Sequence, residues 1–184
     1  MTPLDTAAAP TTSENAESGT TDSDNIIHLG TRFGTFEIDL AKTVWMPQGP
    51  LGFTDLQKFA VLDAPDSPDS PFKLFQSIED KGVTFVVTPL PPASELISEE
   101  DLRAACMSYS IARENAAFLL ITKIRRDNDG NPITSVNLRA PILVDMVNLV
   151  ARQVVFSGDT YPMQLQIQGV PEQDVEQESD RFAE

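Results

Sequence analysis

The sequence predicts a mainly β fold, a compact β-barrel-like single domain with one or two short helices, and three observations predict it. Short segments of alternating polarity recur between clusters of Pro, Gly, Asp and Asn, the mark of strands that bury one face. Helical periodicity is confined to two brief stretches. Many short strands with little helix favour a closed barrel or sandwich, which hides sheet edges that would otherwise recruit other chains.

Along the chain, Phe36, Ile38 and Leu40 alternate with Thr35, Glu37 and Asp39, so one face of this strand is expected to be buried. Phe72, Leu74 and Ile78 set the phase of another strand, and Gln76 falls on that apolar phase. An unpaired amide there would cost about 1–3 kcal/mol, so Gln76 is expected to act as a hydrogen-bonding strut. Val83, Phe85 and Val87 form the next strand, with Glu79-Asp80-Lys81-Gly82 as the hairpin turn. Ala116 to Ile121 is continuously apolar and reads as a central strand. Asp127-Asn128-Asp129-Gly130-Asn131-Pro132 turns it into a strand from Ile133 to Arg139. Tyr161, Met163, Leu165 and Ile167 alternate with Pro162, Gln164, Gln166 and Gln168 as a last strand, for a total of about nine.

Ser98 with Asp101 forms a capping box, and Glu99 and Glu100 favour the positive end of a helix dipole. Leu102, Ala105 and Cys106 then have the spacing of one buried face, so this short helix is expected to cover the sheet. Thr54 with Gln57 gives a second box and one predicted turn of helix. Pro89-Leu90-Pro91-Pro92 interrupts regular structure between strand and helix.

Charge divides the chain into three parts. The formal net charge is −15, from 28 acids and 13 bases in 184 residues, which disfavours direct binding to nucleic acid or an anionic membrane surface. Residues 1–25 hold five acids, no base and no aromatic residue, and read as a disordered acidic N-terminal tail. Such a tail either solubilises or docks, or is a dispensable extension. Residues 170–184 hold six acids against Arg181 and read as an acidic C-terminal tail. Residues 26–169 form the predicted barrel domain, with 17 acids and 12 bases. The single cysteine excludes an intramolecular disulfide, and the N-terminal residues lack the basic start and apolar core of a secretory signal, so a cytoplasmic setting is expected.

Catalytic chemistry finds little support. The only histidine, His28, borders the N-terminal tail, and Cys106 lies on the apolar helix face, so neither a nucleophilic triad nor a zinc site is expected. Glu99-Glu100-Asp101 is better explained by helix capping than by paired-carboxylate catalysis or calcium binding. Gly49-Pro50-Leu51-Gly52-Phe53 lacks the glycine pattern and lysine of a phosphate loop and reads as a tight turn. No catalytic residue, cofactor or metal is therefore expected. Met146-Val147-Asn148-Leu149-Val150 is apolar where a connection is normally polar, which leaves two readings: an adhesive surface, or one longer buried strand.

Several segments, in order, resemble the FliW family. They are Gly49-Pro50-Leu51-Gly52-Phe53 with Phe59 to Asp63; Ser70-Pro71-Phe72 through Gln76 to Asp80; Phe85-Val86-Val87; and Asn137-Leu138-Arg139-Ala140-Pro141-Ile142, continuing to Gln153-Val154-Val155 and Tyr161-Pro162. The chain departs from the family pattern between Met146 and Ala151, where a polar Gly-containing turn is usual, and in its long N-terminal tail. The resemblance implies a non-enzymatic, monomeric cytoplasmic protein that binds flagellin. When flagellin is exported, it instead binds and inhibits the RNA-binding translational regulator CsrA, so that synthesis follows export. Under that reading Glu172, Asp174, Glu176 and Glu178 are candidates for contact with basic CsrA surface, and Met146, Val147, Leu149 and Val150 for contact with flagellin. The rival readings are a small barrel hydrolase using paired carboxylates and a self-assembling structural protein.

Overall fold

The computed structural model describes residues 25–65 and 69–167. The expected tails, with Glu172, Asp174, Glu176 and Glu178, lie outside them except for Asn25. Within them are eleven strands rather than about nine, one α-helix and two single 3-10 turns, Leu40–Lys42 and Arg113–Asn115.

Strands β1 (Ile26–Thr31) and β2 (Gly34–Asp39) form an antiparallel hairpin of their own. Ile38 is buried as its alternation requires, but Leu40 leaves the strand because Asp39 caps the 3-10 turn, its carboxylate accepting from Ala41 N–H at 2.9 Å. The main sheet contains β3 (Val44–Trp45), β4 (Lys58–Asp63), β5 (Lys73–Ser77), β6 (Thr84–Pro89), β7 (Ala116–Arg126), β8 (Pro132–Val136), β9 (Ile142–Asp145), β10 (Val150–Gln153) and β11 (Leu165–Ile167). Antiparallel pairing runs β7-β6-β5-β4-β3; β10 joins β3 in parallel, β9 joins β10, and β9 returns to β7. Seven strands thus close on themselves, the barrel-like arrangement expected. The weakest seam is β3–β10, a single residue pair between Trp45 and Val150.

Each ring strand sends an apolar side chain to one interior cluster: Val44, Phe59, Phe75, Val87, Leu119, Ile142 with Val144, and Ala151. Phe59 and Phe75 stack there, centroids 4.4 Å apart and planes within 3°. Such a fully buried aromatic contributes about 3 kcal/mol through apolar burial alone. β7 is long enough to serve two ladders. Leu119 points into the ring, whereas Phe118 and Leu120 point outward into a second cluster with Val136, Leu143 and Tyr161.

That outer cluster is covered by α1 (Glu99–Ser108), whose Leu102, Ala105 and Cys106 are its buried face, as the sequence predicts. Ser98 is the N-cap, its hydroxyl accepting from Asp101 N–H at 3.1 Å. The Tyr161 hydroxyl donates to Asp101 and accepts from Ser98 N–H at 3.1 Å, tying the helix start to a distant segment. The Tyr161 hydroxyl and the Ser98 hydroxyl, which donates to Asp101 Oδ2 at 2.7 Å, hold the Asp101 carboxyl below its usual range.

Three further expectations are corrected. The box at Thr54 and Gln57 makes no helix: Gln57 Nε2 donates to Pro47 O at 2.9 Å, and the Gln57 and Lys58 N–H groups both donate to Glu79. The last strand begins at Leu165 rather than Tyr161, because Tyr161 is drawn to the helix cap, Pro162 O accepts from Leu138 N–H, and Met163 is exposed; Gln168 lies outside the described residues. Strand β5 buries both faces rather than one, since Phe75 lies in the ring while Leu74 and Gln76 are buried on the other side.

Candidate protein-binding surface

Residues paired across neighbouring strands project to the same side of a sheet. By register, Ala116, Asp145, Val150, Trp45 and Lys58 form one row across β7, β9, β10, β3 and β4. Val44 and Ala151 point into the ring, so Trp45 and Val150, their chain neighbours, point outward. Trp45, the only tryptophan, is 50% exposed and Val150 half-buried.

The row continues into the turn between β9 and β10. Asp145 builds this turn: its carboxylate accepts from Val147 N–H at 3.0 Å, Asn148 N–H at 3.1 Å and Asn148 Nδ2 at 2.7 Å. These bonds, the Asn148 side chain first, lower the Asp145 pKa from the ordinary carboxylate range. Leu149 adopts φ 51°, a left-handed conformation costly for a branched side chain, and its carbonyl accepts from Trp45 N–H at 2.8 Å. Met146 N–H donates to Asn115 O at 2.9 Å. A turn held at three points has no structural need for apolar tips, yet Met146 is 56% and Val147 67% exposed.

Of the two readings of Met146 to Val150, the exposed surface describes Met146 and Val147, whereas Leu149 and Val150 are half-buried and Val150 opens β10. On the other flank Arg152, two residues beyond Val150 on the same face, sets its guanidinium 5.0 Å from the centroid of Tyr109, the exposed C-cap of α1. Neither Lys58 nor Arg152 makes a salt bridge among the described residues. The result is an apolar band bordered by cations on an otherwise acidic molecule. Trp45 is absent from the candidates that the sequence nominates because a two-residue strand carries no periodicity.

The motif residues hold the scaffold around this band. Gly49 adopts φ 59°, and a Cβ there would lie 2.8 Å from both Leu56 O and Thr54 Cα, so only glycine fits the turn. Gly52 also has positive φ, and Phe53 packs edge-on to Phe85 with centroids 5.3 Å apart. Gln76 is the expected strut: its Nε2 donates to Val83 O at 3.1 Å and Ser77 O at 2.7 Å, and its Oε1 accepts from the Thr84 hydroxyl. Pro71 is exposed, and Phe72 N–H donates to Ser70 Oγ at 3.2 Å. Asn137 Oδ1 accepts from Arg139 N–H and Ala140 N–H at 3.0 and 3.1 Å, turning the chain into the fully buried Pro141.

An open cleft of about 600 Å³ lies elsewhere, beside the start of α1, lined by residues including Ser94, Glu99, Arg103, Arg113 and Glu114. Burial raises the Glu99 pKa, but hydrogen bonds from Arg103 and Arg113 outweigh it and hold the carboxyl below its usual range. That is the wrong direction for a general acid. Burial pushes the Cys106 thiol up, against its use as a nucleophile. Among the described residues no group of three His, Cys, Asp or Glu is placed to hold a metal, and no helix is long and apolar enough to cross a membrane.

Comparison with known proteins gives this surface its context. The family model described as "FliW protein" matches residues 28–167. The flagellar assembly factor FliW of Geotalea uraniireducens (strain Rf4) is 33% identical over 135 residues, covering 71% of this chain and 77% of that protein. The protein of the same name from Syntrophus aciditrophicus (strain SB) is 31% identical over 142 residues, covering 74% and 84%. A crystal structure of the flagellar assembly factor FliW superposes with a TM-score of 0.59 at 20% identity, over 76% of this chain and 96% of that one, which shows the shared fold. With a family match spanning both the closed ring and the Trp45 band, the chain belongs to the FliW family.

Proposed function

We propose that this protein is a partner switch that makes and breaks no bond: it binds flagellin, and when flagellin is exported it binds and inhibits a CsrA-type RNA-binding regulator. Flagellin synthesis would then follow export, in the cytoplasm, with the protein acting as a monomer. The observation that carries the reading is the outward row of Trp45 and Val150 continuing into exposed Met146 and Val147. An aromatic anchor beside exposed methionine and valine side chains suits an apolar helix face, and Lys58 and Arg152 suit carboxylates bordering that face. That the curated relatives are named flagellar assembly factors supports flagellin as the occupant.

The acidic residues Glu172, Asp174, Glu176 and Glu178 would serve the second partner, since an acidic segment complements a basic RNA-binding surface and speeds encounter. The test is retention of purified flagellin and of purified CsrA on the immobilised full chain at micromolar concentration, followed by challenge of each complex with the other partner. Displacement supports the switch, and failure to retain either protein sinks it. The same apolar band would also serve self-association, which a dimeric mass in solution would reveal.

A further inference from the structure

The distal part of the sheet carries a charge pattern that the switch leaves unused. Beyond the closed ring, residues Thr122 to Arg126 of β7 pair with β8, and β8 pairs with β11. β8 and β11 contain no charged residue, so the charges on these strands are Lys123, Arg125 and Arg126, all basic and exposed. Lys123 and Arg125 project from one face, in the row system shared with Ser135, Ile133 and Gln166, and neither makes a salt bridge among the described residues. Arg126 is on the opposite face and donates to Gly130 O at 2.8 Å. Asp127 and Asp129 lie past the strand ends in the turn, where the Asp127 carboxylate accepts from Asp129 N–H and Asn131 N–H.

The described residues end beside this face, at Ile167 of β11. Ile167 is level with Thr134, and Thr134 with Ile124, so Ile167 lies two strands away from Lys123 and Arg125, and β11 runs in the same direction as β7. Two strand spacings are about 10 Å, and the five residues from Ile167 to Glu172 span up to about 17 Å. From there the chain carries Glu172, Asp174, Glu176 and Glu178, carboxylates at every second position. In an extended segment such residues share one side at about 7 Å intervals, the spacing at which Lys123 and Arg125 project from their strand.

We propose that the stretch Glu172 to Glu178 docks in extended form on the strand face presenting Lys123 and Arg125. The carboxylates pair with these two cations and avoid the acidic turn at Asp127 and Asp129. Docked there, the tail is withheld from basic partners, which must compete for it. The contact is within one chain, so it stands or falls independently of the proposed switch.

The experiment uses the full chain with Gln177→Cys carrying a nitroxide spin label. Cys106 is buried with its thiol pushed up, so labelling is selective for the new site. At ~0.1 M salt the label is expected to broaden the amide signals of Lys123 to Arg126 beyond those of the rest of the barrel. Lys123→Glu with Arg125→Glu, both at exposed positions, is expected to reduce that broadening several-fold while leaving distant signals in place. Replacing the tail acids (Glu172→Gln, Asp174→Asn, Glu176→Gln, Glu178→Gln) on the native strand face, or raising salt to ~1 M so that the Debye length falls from ~10 to ~3 Å, should do the same. Broadening centred elsewhere, or undiminished by both sets of charge changes, overturns the proposal, because proximity would then come from the tether alone.

Discussion

Leu51 and Gln153 stand 102 residues apart, and Leu51 N–H donates to Gln153 Oε1 at 2.8 Å. The other end of the same amide, Nε2, donates to Ala140 O at 3.1 Å. One side chain therefore fastens the Gly49–Phe53 turn to the Asn137–Ile142 segment, two stretches that share only their family pattern in the linear sequence. Gln153→Ala removes both bonds. Because Leu51 is solvent-exposed and water replaces part of the loss, the expected cost is about 1 kcal/mol, or about 3 °C in Tm. Gln153→Glu keeps the acceptor and loses the donor, so it should fall between the two. Thermal unfolding of the three proteins checks the order, and a Gln153→Ala protein as stable as the native one would show the fastening to be idle.

Two glycines of the same turn should differ in tolerance. At both, alanine must adopt positive φ, a strain of about 1–2 kcal/mol. At Gly52 nothing lies within 4 Å of an added Cβ, so the strain is the whole cost. At Gly49 the added carbon also meets backbone atoms of Phe53, Thr54 and Leu56, which cannot rotate away. Gly49→Ala should therefore destabilise the protein by several kcal/mol and Gly52→Ala by about 1–2 kcal/mol in urea titrations. Equal losses would mean that the turn can shift to admit the Cβ.

How much of this could be read from the sequence depends on how local each cause is. Helix α1 was legible because Ser98, Asp101, Leu102, Ala105 and Cys106 carry the cap and the buried face within nine residues. The turn from Asp127 to Pro132 was legible for the same reason, its bonds running among Asp127, Asp129 and Asn131. Trp45 was not, since its strand exists only through Lys58 and Val150, partners brought in from two other strands. The Thr54 and Gln57 box failed because Pro47 and Glu79 compete successfully for Gln57. Burial of Ser77 was equally hidden: its hydroxyl accepts from Glu79 N–H and Asp80 N–H, a role that polarity alone does not announce.

Acid should loosen the turn that carries Met146 and Val147. The Asp145 pKa is lowered in the folded protein, so its hydrogen bonds favour folding at pH above the ordinary carboxylate value of about 3.9. That contribution is lost as pH falls through the depressed folded value, where protonation breaks the bonds to Val147 and Asn148. Asp145→Asn removes the titrating group, so its stability should fall less steeply between pH 5 and pH 2, on the order-of-magnitude scale of carboxylate titration. Denaturant midpoints measured across that range for both proteins decide it. Parallel curves would remove Asp145 from the acid response.

The flagellin binding proposed for the Trp45 band can be separated from folding because the residues that face outward are not the ones that hold the ring. Trp45 contributes to the barrel through its backbone, whose N–H donates to Leu149 O, while half of its surface remains exposed. Val147 is two-thirds exposed at the turn tip, and it bonds to Asp145 through its backbone N–H and not through its side chain. Substitutions at exposed positions usually change stability by less than about 0.5 kcal/mol, whereas loss of an aromatic anchor costs about 2 kcal/mol or more of binding, roughly 30-fold in Kd. Trp45→Ala and Val147→Asp should therefore weaken flagellin binding at least about ten-fold, with Trp45→Ala the larger effect. Their unfolding midpoints should stay close to the native value. Calorimetric titration with flagellin alongside urea unfolding separates the cases: a large loss of stability in Val147→Asp would mean that this tip supports the ring, and unchanged affinity in both variants would move the flagellin site off this face.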